Sequence, residues 1–176
     1  MKIFKTVIVL SLVALSAHSS FGQQRNIALH DIITEMKLNQ KGRFPYGFKP
    51  NTPREKVEEQ MKGHADVFQK DSLFVTFSIY LNEEDTDFGD ISFDFPKGKL
   101  TSASIETYLG SWEVANKSFN AIKANFDRMY GPAEFKEDTF YWKYKKKGKI
   151  FEIQLWEVDY EGDNGYGIDF LYYDAK

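Results

Sequence analysis

The chain contains no cysteine. Disulfides and thiolate nucleophiles are therefore excluded, and packing alone must hold the fold. Histidine is nearly absent: there are three, and His18 falls within the first 22 residues. Only His30 and His64 remain for imidazole chemistry beyond that point. No Gly-x-Ser-x-Gly elbow accompanies them, which argues against a hydrolytic triad. His64 follows Met61 by one turn, the place of a partly buried histidine at a helix end. Excess positive charge is lacking too. Lys and Arg number 23 against 26 Asp and Glu, so the basic stripe of a nucleic-acid binder is missing. There is no Gly-rich phosphate cradle. The one long uncharged apolar run, Thr6 to Leu15, is shorter than the roughly 20 residues a bilayer span needs, so no stable membrane span is expected.

That run has a different reading. Lys2 and Lys5 precede it, and the small residues Ser20 and Gly22 follow it two apart. Residues 1–22 thus read as a secretory signal cleaved before Gln23. The expectation is an exported protein, periplasmic or extracellular, with residues 23–176 forming one domain. Loss of the signal removes two lysines and no acid, which leaves 21 basic against 26 acidic residues.

What the chain does have is aromatic side chains, at 16% of residues, and alternation. Ile27 to Leu38 carries apolar residues at helical spacing, and 41–48 reads as a connector with Gly42, Pro45 and Gly47. Thr52-Pro53-Arg54-Glu55 reads as a helix start: a capping threonine, proline at the first turn and a glutamate able to reach back. Val57, Met61 and His64 mark that helix's inner stripe. Three strand-like runs follow, 73–81, 90–95 and 100–109. A second helix carries Ala115, Phe119, Ile122, Phe126 and Met129 on one side and stops at Gly131-Pro132. Three more runs follow, 139–145, 150–158 and 167–173, joined by turns at Gly148 and Asn164-Gly165. The pattern predicts an α+β fold of two layers: an antiparallel sheet of about six strands with two long helices on one face. It also suggests a helix-plus-three-strand duplication, with units about 53–109 and 112–173.

Alternation assigns the two sheet faces. Ile79, Ile91, Phe93, Ile105, Trp142, Ile153, Leu155, Ile168 and Phe170 point toward the helices. Tyr80, Tyr108, Tyr141, Trp156 and Tyr173 point the other way, among Ser, Thr, Gln and acids. Tyr and Trp offer large contact area at small entropic cost, so these five are the candidate partner-binding residues. The bland reading is that cross-strand aromatics merely stabilise the sheet. Glu106, Glu152 and Asp169 on the same face could serve a carboxylate-based hydrolase acting on a glycan or peptide. Two acidic loops, 83–90 and 159–165, hold oxygen ligands suited to calcium. Neither keeps the twelve-residue calcium-loop spacing: counted from Asp85 the final glutamate is Pro96, and counted from Asp159 it is Phe170. A calcium-stabilised structural domain is the third alternative, and no metal or other cofactor is the expectation. Lys143 and Lys145 to Lys149 form a basic hairpin tip, which reads as a charged turn guarding an edge or as a contact for an acidic partner.

The stretch Tyr46-Gly47-Phe48-Lys49-Pro50-Asn51-Thr52-Pro53-Arg54-Glu55-Lys56-Val57 resembles a helix lead-in of small exported bacterial domains. These are similar to the β-lactamase inhibitory protein and the outer-membrane assembly lipoproteins. Their pattern is glycine, then threonine or serine, two residues, and Glu-x-Val. Tyr130-Gly131-Pro132 before an aromatic strand resembles the same group. Here Pro50-Asn51 replaces the usual Gly-Met, and the lipidated cysteine and disulfide pair are missing. The resemblance implies a two-layer domain that binds a protein partner and catalyses nothing. It names no partner and no oligomeric state.

Overall fold

The computed structural model describes residues 32–81, 87–160 and 163–175. Residues 1–22 (read above as a signal), His30, the start of the helix expected over 27–38, most of the acidic loop after Leu81, and Glu161 and Gly162 of the second acidic loop lie outside the described residues.

The architecture is one eight-stranded antiparallel sheet in the order β1-β2-β3-β4-β8-β7-β6-β5. The strands are β1 Asp66–Lys70, β2 Phe74–Tyr80, β3 Phe88–Asp94, β4 Ser102–Tyr108, β5 Glu134–Lys136, β6 Thr139–Lys146, β7 Lys149–Tyr160 and β8 Asp163–Asp174. Among the described residues three α-helices accompany them: α1 Ile32–Glu35, α2 Arg54–Met61 and α3 Trp112–Tyr130. The fold is mostly β, which corrects the expected six strands with two long helices. Only α3 is long, at 19 residues, whereas α2 has 8. The expected helix-plus-three-strand units are not what forms, because each half of the sheet is a meander of four strands.

The two additional strands had little to reveal them. β1 carries a register shift between Val67 and Gln69, which breaks the period-2 signal. β5 spans three residues, Glu-Phe-Lys, all exposed. Its turn to β6 uses Glu137 and Asp138 at positive φ, without the glycine or asparagine that usually marks such a hairpin. The turn expected at Asn164-Gly165 instead lies inside β8, with those residues facing Asp159 and Val158.

The helix starts also differ from each other. Thr52 does not cap α2: its hydroxyl donates to the Lys49 carbonyl at 2.7 Å, and Pro53 occupies the cap position. Lys62, Gly63 and His64 turn away after Met61, which keeps α2 short. α3 is capped by Ser111, whose hydroxyl accepts from the Val114 amide. Its apolar stripe is as the sequence indicates, with Ala115, Phe119, Ile122 and Phe126 buried and Met129 packed against the core.

A single core forms on the helix side of the sheet. Val57 and Met61 of α2 join the α3 stripe over Phe77, Phe93, Ile105, Ile153, Ile168 and Phe170. Edge-to-face rings tie the layers together: Phe48 on Phe93 at 5.6 Å, and Phe126 on Trp142 at 5.3 Å and on Phe170 at 6.1 Å. Asp127 adds a polar tie, accepting at 3.0 Å from the Trp142 indole and at 3.1 Å from the Ala133 amide. His64 is half-buried and its ring lies 5.1 Å from that of Tyr46, in keeping with a packing role.

Candidate functional site: the helix-free face of the sheet

Since side chains alternate across a strand, the registers fix the opposite face residue by residue. One row runs Ser78, Asp90, Glu106, Gly167, Trp156, Thr139 across β2, β3, β4, β8, β7 and β6. The next runs Thr76, Ser92, Ser104, Asp169, Gln154, Tyr141. A third runs Phe74, Asp94, Ser102, Leu171, Glu152, Lys143. The face is polar at its centre, and the helices lie on the other side.

The five aromatic candidates do not form one patch. Tyr108 sits at the end of β4, and Tyr80 pairs through Phe88 with the same row, although the Tyr80 side chain lies outside the described part. Tyr141 and Trp156 are diagonal neighbours on β6 and β7, because Tyr141 faces Gln154 and Trp156 faces Thr139. Tyr173 lies at the far end of β8, opposite Ile150. Tyr108, Tyr141 and Trp156 are half-buried, while Tyr173 is 39% exposed.

Three of them have an intramolecular task that the sequence could not display. The Trp156 ring lies on Gly167, where an added Cβ would stand 2.1 Å from the indole. The indole thus covers a bare backbone patch, the pairing of aromatic and glycine that rescues a weak strand position. The Tyr108 hydroxyl donates to Glu106 at 3.1 Å. The Tyr173 hydroxyl donates to the Glu152 carboxylate, and its own pKa is pushed up to about 12 by burial and by that acceptor.

A hydroxyl–carboxylate network missed by sequence reasoning occupies the centre. Ser78 donates to Asp90 and Ser102 to Asp94, each at 2.7 Å, and Thr76 and Ser92 share a bond of the same length. Asp169 stands between these pairs. Burial pushes its carboxyl up, a bond from Ser104 offsets part of this, and the nearby Glu106 and Asp94 raise it further. Glu152 behaves oppositely. Burial alone would raise it, but bonds from Tyr173 and Gln154 and the ion pair with Lys143 at 3.4 Å hold it below the usual range. The signal for this network was the run of Ser, Thr and Asp at alternate strand positions, but only the register shows which of them meet.

These opposite directions give a pH prediction. Glu152 is stabilising above its unfolded pKa near 4.5, and that contribution is lost as pH falls through its lower folded value. Glu152→Gln should therefore lose about 1–2 kcal/mol at pH 7, with the deficit shrinking below pH 4.5. Asp169 is penalised once pH rises through its raised folded value, so Asp169→Asn should be neutral or stabilising at pH 7. Urea denaturation at pH 7 and pH 3.5 checks both. A Glu152→Gln deficit that persists unchanged at pH 3.5 would contradict the assignment.

Among the described residues, no three carboxylates or histidines are grouped to hold a metal ion. Asp87, the one residue of 83–87 that is described, accepts from the Gly110 amide at 3.0 Å. No helix among them is long and apolar enough to cross a membrane. A pocket of about 190 Å³ lies on the helix side, bordered by Trp112, Phe119, Val158 and Asn164. A second, of about 330 Å³, lies at the β6–β7 hairpin. The fold and face together define a mostly-β domain with one side of its sheet sealed by helices and the other presented. Comparison of the chain with protein-family models, curated proteins and solved structures finds no match.

Proposed function

We propose that the protein is an exported, non-catalytic binding module that engages a protein partner through the helix-free face. The observation that carries this reading is the make-up of that face. Half-buried Tyr108, Tyr141 and Trp156 and exposed Tyr173 surround a centre of hydroxyls and carboxylates already held in hydrogen bonds. Such side chains are fixed before contact, so little entropy is lost on binding. The excess of acids at the centre fits a partner surface carrying Lys or Arg. An inhibitor, immunity or envelope-assembly role agrees with the Tyr46-to-Val57 resemblance and with the signal-like first 22 residues.

The second reading is a carboxylate-based hydrolase, favoured by one observation: the Asp169 carboxyl is raised beside Glu106, an arrangement suited to a general acid. Against it, Asp169 borders neither of the two pockets described above, and a glycan or peptide substrate needs a cleft. Glu106→Gln separates the readings, since it should abolish hydrolysis but weaken capture of a protein partner only by the share of one exposed charge.

Export is tested by N-terminal sequencing of the protein from its producing cells. A mature start near Gln23 is expected, and an intact Met1 on a cytosolic protein would refute export.

A further inference from the structure

The pocket of about 330 Å³ lies on the core side of the sheet, away from the proposed partner face. Its floor is a cross-strand row: Tyr144 pairs with Phe151, and Phe151 with Tyr172. The next row toward the hairpin tip is Lys146, Lys149 and Asp174. Gly42 and Pro50 from the N-terminal connector complete the lining with Lys147 at the turn. Lys41 stands over the Tyr144 ring, its ammonium 4.9 Å from the centroid. An apolar floor is thus ringed by ammonium groups in a chain whose net charge is −3.

Not all of these charges are neutralised. Lys149 is paired with Asp174 at 2.5 Å, and Lys41 donates to the Met129 carbonyl at 2.8 Å. Lys146 and Lys147 have no carboxylate partner among the described residues. Lys147 is also held in an unfavourable conformation. It and Gly148 form the two-residue hairpin turn with φ of +49° and +73°. Asparagine, aspartate or glycine is preferred at the first position, and other side chains meet steric cost there.

We propose that this pocket binds a small organic anion. A flat apolar body lies on Tyr144 and Tyr172 above Phe151, and a carboxylate, sulfonate or phosphate head is held by Lys146 and Lys147. The volume is near the lower end of the roughly 300–1,000 Å³ of ligand pockets, which suits one or two rings. Its lysines distinguish it from the smaller pocket beside Trp112, which has none in its lining.

The test is a ¹⁵N NMR titration of the whole protein with naphthalene-2-sulfonate, using 2-naphthol and inorganic phosphate as body-only and head-only probes. The sulfonate should shift the amides of Gly42, Lys147, Gly148 and Tyr172 and leave the Trp156 indole unmoved. Each fragment should bind about tenfold more weakly or not at all. Lys146→Ala combined with Lys147→Asn should weaken sulfonate binding by about tenfold, as expected for two exposed charges. The double variant should keep the native Tm, since both side chains are exposed, so loss of binding cannot be ascribed to unfolding. Sulfonate shifts centred elsewhere, 2-naphthol binding as tightly as the sulfonate, phosphate alone binding as tightly, or no shift at millimolar probe would each overturn the proposal. Because the partner face is on the opposite side, failure here leaves the proposed function standing, and the reverse holds as well.

Discussion

Ile153→Ala should cost about 3–5 kcal/mol of stability, whereas Trp156→Ala, three residues along the same strand, should cost only about 1–2 kcal/mol. The contrast follows from the pleat. Ile153 is 1% exposed and lies between Trp142 on β6 and Phe170 on β7's other neighbour, β8. Phe126 packs on both of those rings from α3. Rings braced from two sides cannot collapse into the space an isoleucine leaves, which places the loss in the upper part of the usual range. Trp156 lies on the other side of the sheet, half-buried over Gly167. Its removal uncovers a glycine backbone but opens no internal cavity. Urea denaturation of both variants measures the two losses. If Trp156→Ala proved the more damaging, the assignment of faces would be inverted, because a one-residue register slip exchanges every side chain between them.

The second large effect is at the joint between the two meanders. Gly165 faces the β4 backbone so closely that a Cβ would stand 1.9 Å from the Thr107 carbonyl oxygen. Backbone cannot swing aside as a side chain can, so Gly165→Ala must push β8 from β4 and should cost about 3 kcal/mol. The close approach has its own polar arrangement. The buried Thr107 hydroxyl donates to the Tyr166 carbonyl at 3.0 Å and accepts from the Tyr166 amide at 2.9 Å, standing in for ladder bonds. Beyond it the strands rejoin through Leu109 and Asn164. Thr107→Val keeps the shape and leaves both Tyr166 groups unpaired in a dry site, for about 2–4 kcal/mol. Thermal unfolding checks the pair. A Gly165→Ala protein with native Tm would show that the joint is looser than the structure depicts.

Legibility in the sequence followed the length and regularity of each element. Period-2 patterns in β2, β3, β4, β6 and β7 assigned faces that the registers reproduce. The α3 stripe needed no tertiary help because five turns of helical spacing are hard to mimic. β5 escaped because three residues cannot express a period, and β1 because its irregular register disrupts one. Thr52 was misread since a threonine before proline satisfies capping chemistry in sequence, while its hydroxyl in fact closes a turn on Lys49. Asn164-Gly165 looked like a hairpin turn, yet the glycine is required by close approach to Thr107, a contact 58 residues away in sequence terms. Misplacing that turn hid Tyr166, which is wholly buried and bonds through its hydroxyl to Ser118 at 2.9 Å. On the candidate site, alternation gave the face of Tyr108, Tyr141, Trp156 and Tyr173. It could not show that they are spread around a polar centre, because the spacing of residues on different strands depends on strand order and register. The Lys145–Lys149 tip was visible as charge; the aromatic floor beside it required the pairing of β6, β7 and β8.

The measurement that bears most directly on the helix-free face as the working surface is quantitative affinity capture from the envelope fraction of the producing cells. Three baits are compared by mass spectrometry: the native protein, Trp156→Ala with Tyr173→Ala, and Lys146→Ala with Lys147→Asn. Each bait is first shown to be fully folded at the capture temperature, so that folding is not the variable. A partner retained by the native and lysine-variant proteins, and depleted at least about tenfold by the Trp156/Tyr173 variant, is the expected result. Equal recovery of that partner by the Trp156/Tyr173 variant would contradict the assignment of function to this face.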